Sequence, residues 1–554
     1  MKKTLCIALS FAIAIGCFTG CSSKRAGKGK DNQAAYKMDT ILNKPGEFPI
    51  VKEEYKDTTI TIGIAQSTLI TDYKDNTFTK ALEEKLGCNI EFQLLPSSDT
   101  AQKVELMIAA GGQDLPDILM MPFEDGQLAA YGRNGTIIDL KQYYDNSAYY
   151  LNKMFDAEKE KYDDDIKRLI TLSDGSMYYV PKYTKILQNE DAAKCWIYQP
   201  WLDKLGLEKP NTLSEFKDML KAFKEKDPNG NGKADEIPLA GYKDDMLTDF
   251  VMASFLPIQR YRDYMYLDGK GKVHAGFMEK EWKEGLKYLN SLYEEGLLSD
   301  TKFTQDKNQL TQLKSATPTL VGAFVDFSPV HTGNVKERTM EYTYLEPLKN
   351  GKNGVRRAAT FTSDPYCGMV VTKNCKHPEL AFRLGDLMCS EEMTIWNRWG
   401  EKGVDWVEPK ADEKSMYESM GYKAKISPIM VWGEPSNHHW MNIGPGYRDY
   451  DISLGMTAAS SSDSEYAISL AMPSYVKTGY KYPVKKYIYD IDEYSEVSQY
   501  QSDIKSYVDE QMALFITGNK DIDKEWNAYI KHLKSIGADK YLELTQKAYD
   551  KNGK

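Results

Sequence analysis

Hydrophobic and polar residues near the start of the chain follow strand and helix patterns in turn. Residues 58–65 alternate threonine with isoleucine or glycine, which predicts a β-strand. Residues 75–87 have helical spacing and end at a glycine, 88–95 predict a second strand, 100–112 a second helix and 116–121 a buried strand. This order predicts a parallel sheet with right-handed crossovers, which binds ligands at the carboxyl ends of its strands.

The same alternation continues along the rest of the chain. Further strands are predicted within 174–182, 195–198, 319–325 and 369–372. Further helices are predicted over 201–206, 212–226, 281–296 and 378–388, and the chain is mostly helical from 495 onward. No internal repeat of 20–50 residues is present. The pattern therefore predicts an α/β protein.

Length and composition narrow the class of protein. The 554 residues correspond to three or four average domains or to two large α/β domains. Hydrophobic residues at 42% and charged residues at 27% exclude a fibrous, collagen-like or wholly disordered chain. The net charge of -10 argues against a nucleic-acid partner. Tyrosine (38) is about twice as frequent as phenylalanine (18), which suits wet aromatic surfaces that stack on sugars but also fits a simple compositional bias.

The N-terminus has the pattern of an export signal. A basic start, an apolar run from Leu5 to Phe18 and Gly20 before Cys21 predict a lipoprotein signal peptide over 1–20, with the lipid on Cys21. Cleavage at Cys17 is the alternative. Residues 21–50 are predicted to be a lipid-anchored tether, since they are polar and lack regular periodicity. No second run of 18 apolar residues occurs, so we expect a protein anchored at the extracellular face of the membrane.

Cysteine usage does not indicate a disulfide framework. The expected mature chain has an odd number of cysteines without tight spacing. They are Cys88, Cys195, Cys367, Cys375 and Cys389. We expect free buried thiols, with a Cys367–Cys375 pair as the alternative.

A short polar loop has the spacing of a calcium site. In residues 227–236, oxygen-bearing side chains alternate and a glycine occupies the sixth position, as in the first half of an EF-hand loop. The predicted ligands are Asp227, Asn229, Asn231, the carbonyl of Lys233, Asp235 and Glu236. The twelfth position is Pro238 instead of glutamate, which favours a structural calcium ion over a sensor. The alternative is a solvated Asn-Gly turn without an ion.

Four sequence blocks carry a resemblance to a known family. They are Trp201–Gly206 with the DPNGNGKADEIPL loop, Leu292–Leu297, Trp399–Trp406, and Phe515–Gly518 with Ala548–Asp550. With these blocks the chain resembles the extracellular solute-binding proteins of ABC importers, family 1, in particular the lipoprotein-type oligosaccharide binders that hold a calcium ion in this loop. The resemblance covers nearly the whole mature chain, and the calcium-loop block is its most specific part.

The resemblance implies a two-lobed periplasmic-binding-protein-like fold of type II, with hinge strands between the lobes. The expected lobes are 51–180 with 368–425, and 181–367 with 426–554, and the first crossover is expected near Tyr178–Pro181. Such a protein closes on a sugar and presents it to a membrane permease. We expect a monomer that is not an enzyme.

The candidate ligand residues lie mainly in the aromatic-rich segment 431–450. Sugars are bound by aromatic faces and by polar side chains that bond hydroxyl groups. The candidates are Trp432, Glu434, Asn437, His439, Trp440, Asn442, Tyr447 and Arg448, with Asp326 and Tyr366 from two strand ends. A loop packed into the core is the alternative for the segment, and a plain strand-end turn is the alternative for the other two. Zinc is disfavoured at His438-His439, because adjacent histidines do not point at one ion.

Three functions remain in competition on the sequence alone. We favour a receptor that captures an oligosaccharide and delivers it to ABC permease subunits. The same fold could take a peptide or another solute. An exported carbohydrate-active enzyme would need two carboxylates at a set separation, which the sequence cannot place.

Overall fold

The computed structural model describes residues 36–331, 333–430, 434–458 and 462–552. The predicted signal peptide 1–20, Cys21, residues 22–35 of the tether and Trp432 lie outside these residues. Within the described part of the chain, no helix is both long enough and apolar enough to cross a membrane.

The strands of the described residues form one six-stranded sheet, one four-stranded sheet and two strand pairs. They are β1 Thr59–Ala65, β2 Asn89–Leu95, β3 Ile118–Met120, β4 Tyr179–Thr184, β5 Lys194–Tyr198, β6 Ile237–Ala240, β7 Met265–Leu267, β8 Val273–Ala275, β9 Val321–Asp326, β10 Tyr342–Leu345, β11 Tyr366–Val371, β12 Trp406–Val407, β13 Ser427–Pro428 and β14 Gly446–Arg448.

The helices surround these sheets. They are α1 Thr77–Leu86, α2 Thr100–Ala109, α3 Asp125–Arg133, α4 Lys141–Asn146, α5 Tyr150–Tyr162, α6 Ile166–Leu169, α7 Leu187–Glu190, α8 Gln199–Leu205, α9 Leu213–Glu225, α10 Leu247–Met252, α11 Lys280–Glu294, α12 Lys307–Lys314, α13 Pro378–Met388, α14 Glu391–Trp399, α15 Tyr450–Ser453, α16 Asp463–Thr478, α17 Tyr494–Ile516, α18 Ile522–Ser535 and α19 Ala538–Asn552. The α/β class is as predicted.

The first lobe is built on the six-stranded sheet, in the order β14-β4-β11-β3-β1-β2. Strands β1, β2 and β3 are parallel and are connected by α1 and α2, which confirms the predicted start of the chain. Helix α1 begins at Asn76, whose side chain accepts a hydrogen bond from the Phe78 amide, and ends at Gly87 in a left-handed conformation (φ 72°). Local signals therefore determine this unit, because caps and periodicity act over a few residues.

The second lobe is built on the four-stranded sheet, in the order β10-β5-β9-β6. Strand β9 is buried along its whole length and packs against α8 and α9. A Cβ atom at Gly322 would lie 2.5 Å from the Phe223 ring and 2.8 Å from the Trp201 ring, so this close approach requires glycine. Helix α9 has the predicted capping box, formed by Thr212 and Glu215.

The crossings between the lobes differ from the predicted boundaries. Strand β4 lies entirely in the first sheet, so the first crossover is the segment 185–193 and not Tyr178–Pro181. Strand β14 pairs in parallel with β4, so this part of 426–554 belongs to the first lobe instead of the second. The chain returns to the second lobe only before α16, which packs against β10. The error arose because strand pairing across the chain leaves no local signal in a three-residue strand.

The end of the predicted tether is part of the folded protein. Leu42 is fully buried, Ile50 is 2% exposed, and Leu42 forms a β-bridge with Val51. The Arg383 side chain of α13 donates hydrogen bonds to the carbonyl oxygens of Asn43 and Lys44. The prediction of a free tether over 21–50 is therefore wrong for its last residues, because isolated apolar side chains are buried here without a regular period.

The C-terminal helices connect the two lobes. Helix α17 packs along α11 of the second lobe and also contacts α3 of the first. These contacts join the two sheets of Met38–Lys554 into one compact unit. The five predicted mature cysteines are buried and free, so Cys367 and Cys375 are not bonded to each other. Burial raises the pKa of Cys88 and Cys375 to about 12, so these thiols are unreactive.

Candidate functional site

Each of the two large sheets has one edge formed by the carboxyl ends of its parallel strands, and a short segment of chain joins these two edges. Parallel pairing puts the carboxyl ends of β1, β3, β4 and β14 and the amino end of β11 at one edge of the first sheet. In the second sheet, the carboxyl ends of β6 and β9 and the amino end of β5 share an edge. The crossover 185–193 runs from the end of β4 to the start of β5, so it links these two edges. This is where open α/β sheets bind ligands.

A cavity of about 590 Å³ lies between the lobes, at the amino end of β11. The first lobe contributes the β3–α3 loop, Pro122–Gly126, and the second contributes Tyr261–Asp263 and part of α17. The segment Asp364–Cys367, which leads into β11, and residues of 486–489 complete the wall. A ligand in this cavity would touch both lobes.

Tyrosine rings are prominent in this cavity. Tyr366, at the amino end of β11, is 49% exposed, and Tyr261 is 70% exposed. The Tyr261 ring lies 4.9 Å from the Phe361 ring, edge to face, which supports it from behind. Tyr487, Tyr489 and Tyr494 also line the wall. Exposed aromatic faces next to polar groups are the usual means of binding sugar rings.

Two acidic groups of the cavity wall are paired with cations. Asp125, at the start of α3, accepts a hydrogen bond from Lys486 at 2.5 Å and a longer one from Tyr494. Asp364 forms an ion pair with Arg262, and the Arg262 guanidinium also donates to the carbonyl of Val484. The Asp125–Lys486 pair joins the first lobe to the C-terminal part of the chain, so it acts as a contact that closure could make or break.

Of the predicted ligand residues, Tyr366 lines this cavity and Arg448 lies beside it. Arg448, in β14, pairs in register with Thr184 and is 7% exposed. Burial lowers the pKa of Arg448 to about 10, and the neighbouring Tyr366 phenol opposes this shift. The two residues therefore lie close to each other at the edge of the first sheet.

Tyr447 takes part in an internal polar network. Its hydroxyl donates to Glu158 at 2.7 Å, and burial raises the pKa of Tyr447 well above its ordinary value. Lys185, at the start of the crossover, donates to Glu158 at 2.7 Å and to Asp164 at 3.2 Å. The Lys185 ammonium also lies 3.4 Å from the centroid of the Tyr162 ring. This network fixes the first crossover to α5 of the first lobe.

Several predicted ligand residues lie away from the cavity. Trp440 and His439 are fully buried, and the Trp440 indole donates to the Thr79 hydroxyl at 2.9 Å. Both residues belong to the core, which corrects their prediction as ligand residues. The Trp440 ring packs edge-on against Phe78, because the apolar face of α1 must be covered.

The remaining predicted residues have other local roles. Asn437 accepts a hydrogen bond from the Asp72 amide, and its carbonyl accepts from the Thr77 amide at the start of α1. Asn442 has a left-handed backbone (φ 64°), and Glu434 is exposed. Asp326, at the end of β9, is 3% exposed and accepts from the Lys307 ammonium at 3.1 Å.

The predicted calcium loop is folded around its acidic and amide side chains. The Asp227 carboxylate accepts hydrogen bonds from the amides of Gly230, Asn231 and Gly232. The amide groups of Asn229 and Asn231 donate to Asp235 at 3.0 Å. The loop therefore directs these side chains toward a common centre.

Glu236 is the unusual member of this loop. Both of its carboxylate oxygens are buried, and neither has a hydrogen-bond partner among the described residues. Burial raises the pKa of Glu236, and the charges of Asp227 and Asp235 act in the same direction. An oxygen-binding cation would satisfy both oxygens, so the donor set fits calcium. In the described part of the chain, His, Cys, Asp and Glu side chains are not clustered in threes closely enough to hold a metal ion by themselves, so an ion here would also need amide and carbonyl oxygens.

Sequence reasoning missed Tyr261, Arg262 and Lys182. Tyr261 and Arg262 belong to a stretch dense in aromatic and basic residues (YRDYMY), which was the available signal. Lys182 is a lysine within the otherwise aromatic and apolar strand β4, and a charge in a buried strand also indicates a special environment.

Comparison with known proteins agrees with this architecture. FusA of Streptococcus pneumoniae, a fructooligosaccharide ABC transporter substrate-binding protein, is 26% identical over 563 residues, which covers 99% of this chain and 97% of FusA. The structure of a FusA EF-hand mutant with fructo-nystose has a TM-score of 0.70 and 23% identity, over 89% of this chain and 99% of that chain. An extracellular solute-binding protein from Bifidobacterium longum subsp. infantis has a TM-score of 0.71 and 22% identity, over 90% and 99%. These matches confirm the predicted two-lobed fold.

The family itself follows from a match that covers most of both lobes. The model of the bacterial extracellular solute-binding proteins matches residues 68–395, which is more than half of the 554-residue chain. The matched range begins after β1 and ends in α14, so of the strands that form the two edges it leaves out β1 and β14. The chain therefore belongs to the bacterial extracellular solute-binding protein family.

Proposed function

We propose that this chain is the substrate-binding protein of an ABC importer and captures an oligosaccharide between its lobes. The observation that carries the proposal is the cavity of about 590 Å³, which both lobes line and in which Tyr261 and Tyr366 are exposed. Two tyrosine faces with charged groups between them suit the apolar faces and hydroxyl rims of sugar rings. The relative FusA is named for fructooligosaccharides, which supports a saccharide over a peptide.

Binding is coupled to closure because the ligand would contact both lobes. A ligand that touches both lobes binds the closed arrangement more tightly and shifts the population toward it. The Asp125–Lys486 ion pair lies at the same cavity and would stabilise the closed arrangement of the lobes. A membrane permease can then distinguish loaded from empty protein by the relation of the lobes. The cargo leaves chemically unchanged, so the protein acts as a receptor and not as an enzyme.

We also propose that the loop 227–236 holds a structural calcium ion. Asp227, Asp235 and Glu236 would supply carboxylate oxygens, and Asn229, Asn231 and the Lys233 carbonyl the neutral ones. The buried and unpartnered Glu236 carboxylate supports this assignment. When bound, the ion would neutralise these charges and hold the loop between α9 and β6. Its function would be to stabilise the second lobe, since the loop lies outside the cavity wall.

The predicted N-terminus completes the proposal. Lipid attachment at Cys21 would hold the protein at the extracellular face of the membrane, close to the permease subunits. We propose that it acts there as a monomer. The acidic net charge of -10 supports a role that does not involve nucleic acid.

A ligand screen tests the proposed function. Residues 22–554, without lipid, would be titrated by calorimetry with neutral and acidic oligosaccharides and with peptides, in the presence of calcium. We expect micromolar or tighter binding of a saccharide that is recovered intact afterwards. Binding of peptides alone would refute the saccharide assignment, and cleavage of the sugar would refute the receptor assignment.

A further inference from the structure

Three cationic side chains gather at the cavity edge of the first sheet. Lys182 lies in β4, opposite Tyr366 of β11 and Gly446 of β14 in register. Arg448 lies two residues further along β14, and Arg398 lies near the end of α14, which packs against β14. The guanidinium carbons of Arg398 and Arg448 are 5.4 Å and 5.5 Å from the centroid of the Trp399 ring.

These charges are buried and repel one another. Lys182 is 6% exposed and Arg448 is 7% exposed. Burial lowers the pKa of Lys182 to about 7, with the positive charges of Arg448 and Arg398 acting in the same direction. Burial also lowers the pKa of Arg398 to about 9, with Arg448 acting in the same direction. Such a cluster is unfavourable unless an anion compensates it.

The described residues supply no anion to Lys182 or Arg448. Neither side chain forms an ion pair or a hydrogen bond within the described part of the chain, and the buried Nε atom of Arg448 lacks a hydrogen-bond partner there. Residues 431–433 and 459–461, which lie outside it, contain no aspartate or glutamate. The acid whose charge acts on Arg398 is Glu465, which accepts hydrogen bonds from Ser462 at the start of α16.

Other buried cations in the described part of the chain have hydrogen-bond or ion-pair partners, which sets Lys182 and Arg448 apart. Lys185 is 2.7 Å from Glu158, and Lys302 is 2.9 Å from Asp245. The Lys194 ammonium donates to two backbone carbonyl groups. Asp125 and Asp364 of the cavity wall are paired with cations of their own, Lys486 and Arg262. Lys182 and Arg448, at this edge of the first sheet, are therefore buried cations to which the described residues supply no anion.

The cluster adjoins the cavity through Tyr366, while its three cations lie behind the residues of the cavity wall. Tyr366 lines the cavity and lies close enough to Arg448 for the guanidinium charge to oppose the rise in the tyrosine pKa that burial causes. Trp399, between the two arginines, is 3% exposed and forms a rigid support. A planar carboxylate or a sulfate can accept two hydrogen bonds from one guanidinium group, which a sugar hydroxyl cannot do.

We propose that the cargo is an oligosaccharide that carries an anionic group, a carboxylate or a sulfate, and that Lys182 and Arg448 bind this group with Arg398 beside them. This inference rests on the proposed function, because the cluster adjoins the same cavity through Tyr366. The oxyanion would supply the negative charge that the described residues lack. A neutral saccharide would leave two buried cations uncompensated, so the site selects for charge as well as shape.

Matched saccharides test the charge preference directly. Calorimetric titrations would use oligogalacturonides and oligoalginates with their carboxyl-reduced forms, sulfated chondroitin oligosaccharides with their desulfated forms, and neutral fructo- and xylo-oligosaccharides. We expect at least tenfold tighter binding of one acidic saccharide than of its neutral counterpart, with affinity that falls as salt increases. The reduced and desulfated pairs distinguish a carboxylate from a sulfate.

Variants assign the preference to the cluster. Lys182→Met and Arg448→Met remove one charge each and keep an apolar side chain of similar length, so both should fold. Each variant should bind the acidic saccharide at least tenfold more weakly, and its affinity for a neutral saccharide should change little. Lys531→Met, which removes an exposed charge from α18, is the matched control and should change neither.

The outcomes separate the two proposals. Tight binding of a neutral saccharide, with no preference for any acidic form, would overturn this inference and leave the proposed function intact. Acidic binding that is unchanged in both methionine variants would overturn the residue assignment. Absence of binding by every saccharide, in protein shown to be folded by circular dichroism, would overturn both.

Discussion

Removal of calcium is the perturbation that tests the loop 227–236 most sharply. At a free calcium concentration 100 times the dissociation constant, an ion that binds only folded protein adds about 2.7 kcal/mol. Unfolding entropy of about 2.1 cal/mol/K per residue, over the roughly 500 residues of the folded unit Met38–Lys554, gives about 1 kcal/mol per degree. We therefore expect calcium to raise the melting temperature by about 2–3 °C over protein in EGTA, with magnesium less effective.

One substitution in this loop should have opposite effects on stability in the absence and in the presence of calcium. The carboxylate of Glu236 is buried without a partner, so Glu236→Gln removes an unfavourable charge from calcium-free protein and a ligand from calcium-bound protein. We expect the variant to be as stable as the native chain or more stable in EGTA, and less stable in calcium. Asp218→Asn, on the exposed face of α9, is the control and should keep the full calcium response.

Differential scanning calorimetry, with metal content measured by elemental analysis, gives the result. Dialysed protein that contains no calcium and melts at the same temperature with and without added calcium would refute the calcium site. So would a Glu236→Gln variant that responds to calcium as the native chain does. The loop would then be a hydrogen-bonded turn, held by Asp227 and Asp235 alone.

Four further predictions concern the cavity and the core. Tyr366→Ala should weaken cargo binding about fivefold to tenfold, roughly 1 kcal/mol, in calorimetric titrations, whereas Tyr55→Ala, near the opposite edge of the first sheet, should not. Lys486→Met removes an ion pair between the lobes and should increase the radius of gyration of ligand-free protein in small-angle X-ray scattering; an unchanged radius would contradict the role in closure. Gly322→Val should destabilise the protein by about 1–3 kcal/mol or more in urea denaturation, because the new side chain collides with two aromatic rings. The pKa of Lys182 is about 7 in the folded protein and 10.5 in the unfolded chain. The free energy of unfolding of the native chain should therefore rise relative to that of the Lys182→Met variant between pH 7 and 10. A difference between their urea midpoints that stays constant with pH would refute this.

The pKa of Lys182 also determines the sign of that last effect. Above pH 7 the folded protein loses the proton while the unfolded chain keeps it, so the unfolded state binds more protons and stability rises with pH. The methionine variant has no such group. The stability difference between the two proteins therefore changes over this range and levels off above pH 10.5.

Elements with strong local signals were predicted closely. Helix α9 was predicted over 212–226 and runs over Leu213–Glu225, since its capping box and its apolar stripe act within a few residues. Strand β1 was predicted over 58–65 and runs over Thr59–Ala65. Of the candidate site, the spacing of the calcium loop and the position of Tyr366 could be derived in the same way.

Elements that depend on distant partners were not predicted. Strand β14 is three residues long, and its place in the first sheet depends on pairing with β4, more than 250 positions earlier in the chain. For the same reason, Trp440 was assigned to the ligand although it packs in the core against Phe78. A single sequence contains the composition of such a segment but not the surface that it meets.

The sequence by itself determined the α/β class, the order of the first strands and helices, and the oxygen-rich composition of the loop 227–236, because periodicity, caps and residue spacing are local properties. Only the tertiary structure decided which side chains meet at the cavity. Lys182, Arg398 and Arg448 come from three separate elements, and their charges become unfavourable only when the sheet and α14 bury them together. Burial and the distance between charges arise from packing, so the charge preference of the site could be inferred only from the folded chain.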